Sequence, residues 1–95
     1  MVGLRNAGHL GRIGDWAEMA TEAGCISMHF VNTSGLGILV APHGGSEARL
    51  SANPIAAGVP RQSAPPIILD MSTSIIAEGK IQVARNKGMQ LPQGL

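Results

Sequence analysis

The chain has 95 residues, with 13 glycines, 6 prolines and two aromatic side chains, Phe30 and Trp16. This length suits one small domain, whose core must be built from Ile, Leu, Val, Met and Ala. The net charge is +1 and the seven basic residues are scattered, which argues against a nucleic-acid partner, and no apolar run approaches the roughly 20 residues needed to span a membrane.

The first predicted helix covers residues 15–23 and begins with Asp15 as its N-cap. The spacing of its apolar residues places Trp16, Ala20 and Ala23 on one stripe, which we expect to face the core. Gly24 follows as a left-handed stop, because glycine adopts a positive φ without a steric penalty.

The stretch "CISMHFVN" (25–32) alternates between apolar and polar residues and therefore predicts a strand. Its apolar face carries Ile26, Met28 and Phe30. Cys25 lies where the strand begins and is expected to be a buried, small apolar residue. A single cysteine excludes an internal disulfide bond and suits the reducing cytoplasm.

The second half of the chain predicts three short strands and a helix. The strands are "ILVAP" (38–42), "IAAGV" (55–59) and "IILD" (67–70), and Gly58 within the second permits close approach by a ligand or a neighbouring backbone. The helix starts at Ser72 or Ser74, runs to Lys87 and ends at Gly88. Helices and strands thus alternate, which predicts the α/β class.

Three glycines surround His9 in "RNAGHLGRIGDWAEMA" (5–20), at positions 8, 11 and 14. A dinucleotide fingerprint has the spacing G-x-G-x-x-G and an acidic residue after the next strand, and this segment has neither. Three interpretations stay open: an anion site at the helix start, a flexible turn, and a proton-transferring histidine on open backbone. Histidine suits the last role because it changes protonation near neutral pH.

A second polar cluster, "LDMSTS" (69–74), closes a strand and opens a helix. The Asp70 carboxylate can accept hydrogen bonds from ribose hydroxyls, and the neighbouring hydroxyls can donate or accept. Ordinary N-capping uses the same residue types and is the alternative. His29 is expected to be half-buried in its strand, His43 could line a site, and Asn53 before Pro54 indicates a structural turn. The spacing of the histidines and Cys25 does not support a metal site.

Five segments, taken in order, resemble the malate/L-lactate dehydrogenase family, which also includes ureidoglycolate and sulfolactate dehydrogenases. They are "RNAGHLGRIGDWAEMA", "FVNTSG", "VAPHGGSEARLSANPIA", "PPIILDMSTSIIAEGKI" and "ARNKGMQLP". The resemblance implies a non-Rossmann cofactor domain, with a mixed sheet flanked by helices, usually in a homodimer. It implies hydride transfer between NAD or NADP and a small 2-hydroxy acid, with the 2-oxo acid as product.

The resemblance also assigns site residues. The histidine of the family's N-x-G-H-x-G motif falls on His9, as proton acceptor. Cofactor-contacting positions fall on Thr33, Asp70, Met71 and Ser72, and Ser72 stands where the family usually has alanine. Ala52 stands where threonine is usual, and His43 often corresponds to phenylalanine, so neither receives a role.

The family's substrate segment, with a histidine and an arginine for the carboxylate, lies upstream of this stretch and has no counterpart here. Residues 1–95 are therefore expected to be part of one NAD(P)-binding and catalytic domain, an internal fragment without the N-terminal segment and the C-terminal remainder. Charged residues form 14% of the chain, against about a quarter in ordinary domains, which fits a surface covered by other protein. The alternative is a catalytically incomplete piece that binds cofactor or dimerises.

Overall fold

The computed structural model describes residues 1–33 and 37–93. The described elements follow the chain in this order: α1 (Gly14–Glu22), β1 (Ser27–Phe30), β2 (Ile38–Val40), β3 (Leu50–Ser51), β4 (Ile55–Val59), β5 (Ile67–Met71) and α2 (Glu78–Asn86). The α/β class is therefore confirmed, and each of the four strands predicted after residue 24 has a counterpart. The short strand β3 was not expected.

The chain divides into two compact units. The first unit comprises Met1–His29 and Ile55–Asp70, and the second comprises Phe30–Pro54 and the residues from Met71 on. One sheet has the strand order β1-β4-β5, and β2 and β3 form a separate antiparallel pair with an irregular register between Ile38 and Val40.

The core of the first unit is the contact between α1 and β4, and it is built from small side chains. Ile13, Ala17 and Ala56 are its buried apolar residues. A Cβ placed on Gly58 would lie 2.7 Å from the Ala17 carbonyl oxygen and 2.8 Å from Thr21 Cγ2. The expected close backbone approach at Gly58 is therefore confirmed, and its partner is α1.

Helix α1 begins one residue before Asp15, and its buried stripe differs from the predicted one. Ile13 occupies the N-cap position and no side chain caps it there, so the Asp15 cap is wrong. Ala17 and Thr21 are buried, whereas Trp16 is 47% exposed. The close packing against Gly58 admits only small side chains, which excludes the indole from this face. Gly24 has the predicted positive φ, at +72°.

The apolar face that the sequence predicts for the strand at 25–32 is exposed in the structure. Ile26, Met28 and Phe30 are between 65% and 71% exposed, while the alternating Ser27 and His29 are partly buried. Cys25 is also exposed, so its predicted burial is wrong. The alternation itself is correct; within this chain the sheet packs on the other face.

In the second unit, α2 starts later than predicted, at Glu78, and buries no residue fully. The Ser74 amide donates to Ser72 Oγ at 3.2 Å, a local bond that competes with helix formation and delays the start. Gly88 ends the helix with a φ of +64°, as expected. Among the residues described, neither helix has the length and hydropathy of a membrane span.

Candidate functional site

His9 lies exposed on the irregular segment before α1, and a local hydrogen bond fixes its ring. The Gly11 amide donates to His9 Nδ1 at 3.0 Å. Gly11 has a φ of +76°, a left-handed conformation that glycine adopts without strain. The glycine therefore turns the chain back so that its N–H points at the imidazole two residues earlier.

The same segment is tied to α1 by the only tryptophan of the sequence. Trp16 Nε1 donates to the Leu10 carbonyl oxygen at 3.3 Å. This contact explains why a large aromatic residue stands half-exposed at the start of the helix. It joins the residue after His9 to a regular element, and so restricts the movement of the histidine.

Asp70, at the end of β5, binds the N-terminus of α1 rather than that of the helix that follows it. Its Oδ2 accepts the Gly14 amide at 3.0 Å, and a Cβ on Gly14 would lie 2.6 Å from the same oxygen. The first turn of a helix has free N–H groups and a partial positive charge, and a carboxylate satisfies both. The Asp70 carboxylate therefore fills the anion position at this helix end, which argues against the phosphate-binding interpretation of the glycines.

Arg12 connects three carboxylates around this helix start. Its guanidinium bonds Asp15 at 2.5 Å and Glu18 at 2.7 Å, and its Nε lies 3.6 Å from Asp70 Oδ2. Hydrogen bonds to Glu18 and, to a smaller extent, to Asp15 raise the pKa of Arg12 above its ordinary value, so Arg12 stays a cation. The group compensates the charge of Asp70, whose side chain is 28% exposed.

His9 and Asp70 are thus both attached to the four-residue segment from Gly11 to Gly14, within the first unit. Gly11 holds the imidazole and Gly14 holds the carboxylate. Two of the three glycines have separate structural reasons: Gly11 needs a positive φ, and Gly14 leaves room for Asp70. A Cβ on Gly8 would meet no atom within 4 Å, so space does not require glycine there.

A polar network in the second unit links the segments that follow β1 and β5, and we call it the Ser51 network. The buried Ser51 hydroxyl lies 3.0 Å from Oδ1 of Asn32 and of Asn53, and donates to one at a time. The backbone N–H of Asn53 donates to Thr73 Oγ1 at 3.0 Å. Asn53 thus joins the network through its side-chain oxygen and its backbone N–H.

The Ser51 network positions the chain neighbours of two predicted cofactor residues. Thr33 follows Asn32, and Ser72 precedes Thr73; both Thr33 and Ser72 are exposed. Met71 is 46% exposed, and the Ser72 hydroxyl lies 3.0 Å from Ser74 Oγ. Thr33, Met71 and Ser72 therefore belong to the second unit, while His9 and Asp70 belong to the first.

The remaining histidines do not join these groups within the part of the chain that is described. His29 is partly buried and its Nε2 lies 3.1 Å from Ser27 Oγ, in agreement with the predicted structural role. His43 is exposed on an irregular segment. No group of three or more potential metal ligands occurs among the residues described.

Sequence reasoning missed Arg12 and the Ser51 network. Arg12 stands three residues before Asp15, a separation that brings side chains together on a helix, whereas its bond to Glu18, six residues on, follows from no such spacing. Ser51 contacts residues up to 19 positions away in the sequence, in irregular segments, and no local sequence pattern predicts these contacts.

Comparison with known proteins agrees with the resemblance noted in the sequence. A family model described as malate/L-lactate dehydrogenase matches residues 1–95. The hydroxycarboxylate dehydrogenase B of Escherichia coli K12 is 45% identical over 93 residues, which are 98% of this chain and 26% of the relative. The malate dehydrogenase of Pyrococcus abyssi is 43% identical over 94 residues, 99% of this chain and 25% of the relative.

The fold has a solved counterpart as well. A structure from E. coli, assigned as a malate/lactate dehydrogenase, shares 45% sequence identity and superposes with a TM-score of 0.77 over 90% of this chain and 24% of that one. The chain thus spans about a quarter of the length of these proteins.

Proposed function

Because the chain belongs to the malate/L-lactate dehydrogenase family, we propose that it carries the catalytic base and part of the cofactor site of an oxidoreductase. This enzyme transfers a hydride between NAD or NADP and a small 2-hydroxy acid such as malate or lactate. The observation that supports the proposal best is His9, an exposed imidazole held on its loop by Gly11 and, through Leu10, by Trp16.

His9 is proposed to accept the hydroxyl proton of the substrate during oxidation. The nicotinamide, when bound, supplies the acceptor for the hydride that leaves the same carbon. As the proton moves to the imidazole, the C–O bond becomes a carbonyl and the 2-oxo acid results. In the reverse direction the protonated ring returns the proton to the carbonyl oxygen.

Thr33, Asp70, Met71 and Ser72 are proposed to hold the cofactor. Their donor set fits a dinucleotide, since the hydroxyls of Thr33 and Ser72 can bond ribose hydroxyls or phosphate oxygens and the Asp70 carboxylate can accept from a ribose. Asp70 has one oxygen, Oδ2, directed at Gly14 and Arg12, and these contacts support a fixed, charge-compensated acceptor. Met71, half-exposed at the end of β5, offers an apolar surface for a ring.

The partners we propose are a small 2-hydroxy or 2-oxo acid and a second subunit, in a cytoplasmic homodimer. The exposed apolar side chains of β1 and of the residue before it, Ile26, Met28 and Phe30, support a surface that other protein covers. The three occupy alternate positions near one edge of the sheet, which is the pattern of a packed strand face.

The test uses a chimera in which this chain replaces the 93 aligned residues of E. coli hydroxycarboxylate dehydrogenase B. We expect the chimera to reduce NAD or NADP with a 2-hydroxy acid, and His9→Gln to lower kcat by about 10²–10⁴-fold, the usual share of a general base. Binding of NADH or NADPH, followed by fluorescence, should persist in that variant. His43→Gln is the matched control and should leave turnover unchanged. Unchanged turnover in His9→Gln would refute the assignment.

The alternative is a cofactor-binding or dimerisation module without turnover of its own, favoured by the exposed face of β1. Titration of the 95-residue chain with NADH and NADPH, sedimentation, and assays with malate and lactate separate the two. If the isolated chain binds cofactor or dimerises but does not turn over malate or lactate, it acts as a cofactor-binding or dimerisation module. Turnover by the isolated chain would exclude it.

A further inference from the structure

The hydrogen bond between Gly11 and His9 determines which ring atom carries the lone pair. A backbone N–H can only donate, so Nδ1, 3.0 Å from the Gly11 nitrogen, must be the unprotonated nitrogen of the ring. In the neutral imidazole the other nitrogen, Nε2, then carries the hydrogen. The ring is therefore held as the Nε2–H tautomer.

We propose that Gly11 is a positioning residue that selects this tautomer and makes Nδ1 the atom of His9 that receives the substrate proton. This inference rests on the proposed function. The two atoms of the ring are not equivalent in this arrangement, because Nε2 already bears a hydrogen and can only donate. A hydroxyl that gives its proton to His9 must approach Nδ1.

The proton transfer requires the Gly11 bond to break. Oxidation of the 2-hydroxy acid moves the hydroxyl proton to Nδ1 and the C2 hydrogen, with its electron pair, to an oxidised nicotinamide. The ring then carries hydrogens on both nitrogens, and Nδ1 has no lone pair left for the Gly11 amide. In the free protein the Gly11 N–H therefore occupies the position beside Nδ1 that the substrate hydroxyl takes in the complex. The Gly11 bond breaks when the substrate binds.

The position of Gly11 makes this exchange possible. A Cβ on Gly11 would meet no atom within 4 Å, so the residue has space around it. Its positive φ aims the N–H back at the ring, and the neighbouring Leu10 carbonyl is held by Trp16. The exchange therefore requires the Gly11 N–H to turn away from the ring while the preceding residue stays anchored.

The experiment measures the tautomer directly, with no need for turnover. Ring ¹⁵N–¹H correlation spectra of the 95-residue chain are recorded in mildly alkaline buffer, where histidine rings are neutral. We expect His9 to give the signals of an unprotonated Nδ1 and a protonated Nε2, with the Gly11 amide protected from hydrogen exchange. A protonated Nδ1, or the averaged signals of a free imidazole, would overturn the proposal.

N-methylation supplies the matched variant, because Gly11→sarcosine removes the N–H without adding a Cβ. The chain can be assembled by ligating a thioester of residues 1–24 to Cys25. The signals of His9 should shift to the mixture of tautomers of an unconstrained ring, while circular dichroism keeps the helical signal. Gly8→sarcosine is the control, since the Gly8 amide makes no hydrogen bond among the residues described, and its His9 signals should match those of the parent.

Two failures remain distinguishable. A chimera without hydride transfer refutes the proposed function, whatever the ring spectra show. Unchanged His9 signals in Gly11→sarcosine refute the role of Gly11 even when the chimera is active. Loss of the helical signal in Gly11→sarcosine but not in Gly8→sarcosine would show that Gly11 supports the fold rather than the tautomer, and would also overturn the proposal.

Discussion

Substitution of Gly58 by alanine probes the closest contact in the first unit. The added Cβ would lie 2.7 Å from the Ala17 carbonyl oxygen and 2.8 Å from Thr21 Cγ2, distances at which backbone or side chain must move. Overpacking of this kind costs about 1–3 kcal/mol, and the lower entropy of the unfolded alanine chain offsets about 0.5–1 kcal/mol of it. We expect a net loss of about 1–2 kcal/mol, or a fall in Tm of about 4–16 °C for a chain of this size.

The assay is urea unfolding followed by the fluorescence of Trp16, which lies on the helix that Gly58 contacts. Gly3→Ala is the control in the same unit, because its Cβ would meet no atom within 4 Å and should leave the midpoint nearly unchanged. Thr21→Ser removes Cγ2 but keeps the hydroxyl that donates to the Glu18 carbonyl at 2.7 Å. It should restore part of the loss in the double variant. Equal midpoints for Gly58→Ala and Gly3→Ala would refute the close packing of α1 on β4.

Three further predictions concern the start of α1 and the strand that follows it. Gly14→Ala should displace the Asp70 carboxylate, whose Oδ2 would lie 2.6 Å from the new Cβ. The lost charge-assisted hydrogen bond should lower the free energy of unfolding by about 1–3 kcal/mol. An unchanged urea midpoint would contradict the contact. Trp16→Phe should remove the bond to Leu10 and speed hydrogen exchange of the amides of residues 9–11, whereas exchange at the parent rate would show that the indole does not hold the loop. Cys25, which is exposed, should react with a thiol reagent in the folded protein as fast as in urea, and protection in the native state would contradict its position.

The strands were predictable because local sequence determines them. "ILVAP", "IAAGV" and "IILD" are apolar runs bounded by Pro and Gly, and each forms a strand at nearly the expected residues. The starts of the helices were not predictable to the same degree. The Ser72 hydroxyl competes for the Ser74 amide and delays α2, and α1 has Ile13 rather than Asp15 at its N-cap.

Burial was the property that the pattern alone predicted least well. Met28 and Phe30 alternate as a core face does, yet they are exposed in this chain. Trp16 lies outside the buried stripe because Gly58 and Ala17 approach too closely for an indole. Periodicity identifies which residues share a face, whereas the neighbouring elements decide which face is covered.

The candidate site was predicted by residue type but not by its contacts. The resemblance pointed to His9 and Asp70, and their roles stay proposals. The bond from Gly14 to Asp70 joins residues 56 positions apart, and the Gly11 contact depends on one positive φ. Neither follows from spacing, which is why the glycine repeat alone left an anion site, a turn and a catalytic histidine open.

The fate of the C2 hydrogen of the substrate tests the central claim most directly. The chimera that carries this chain is incubated with [2-²H]lactate or [2-²H]malate and NAD or NADP, and the reduced cofactor is analysed by mass spectrometry. Hydride transfer predicts one deuterium in the reduced nicotinamide, at a rate that His9→Gln lowers without changing where the deuterium goes. Deuterium released to water, with none in the cofactor, would contradict hydride transfer and the function proposed for this chain.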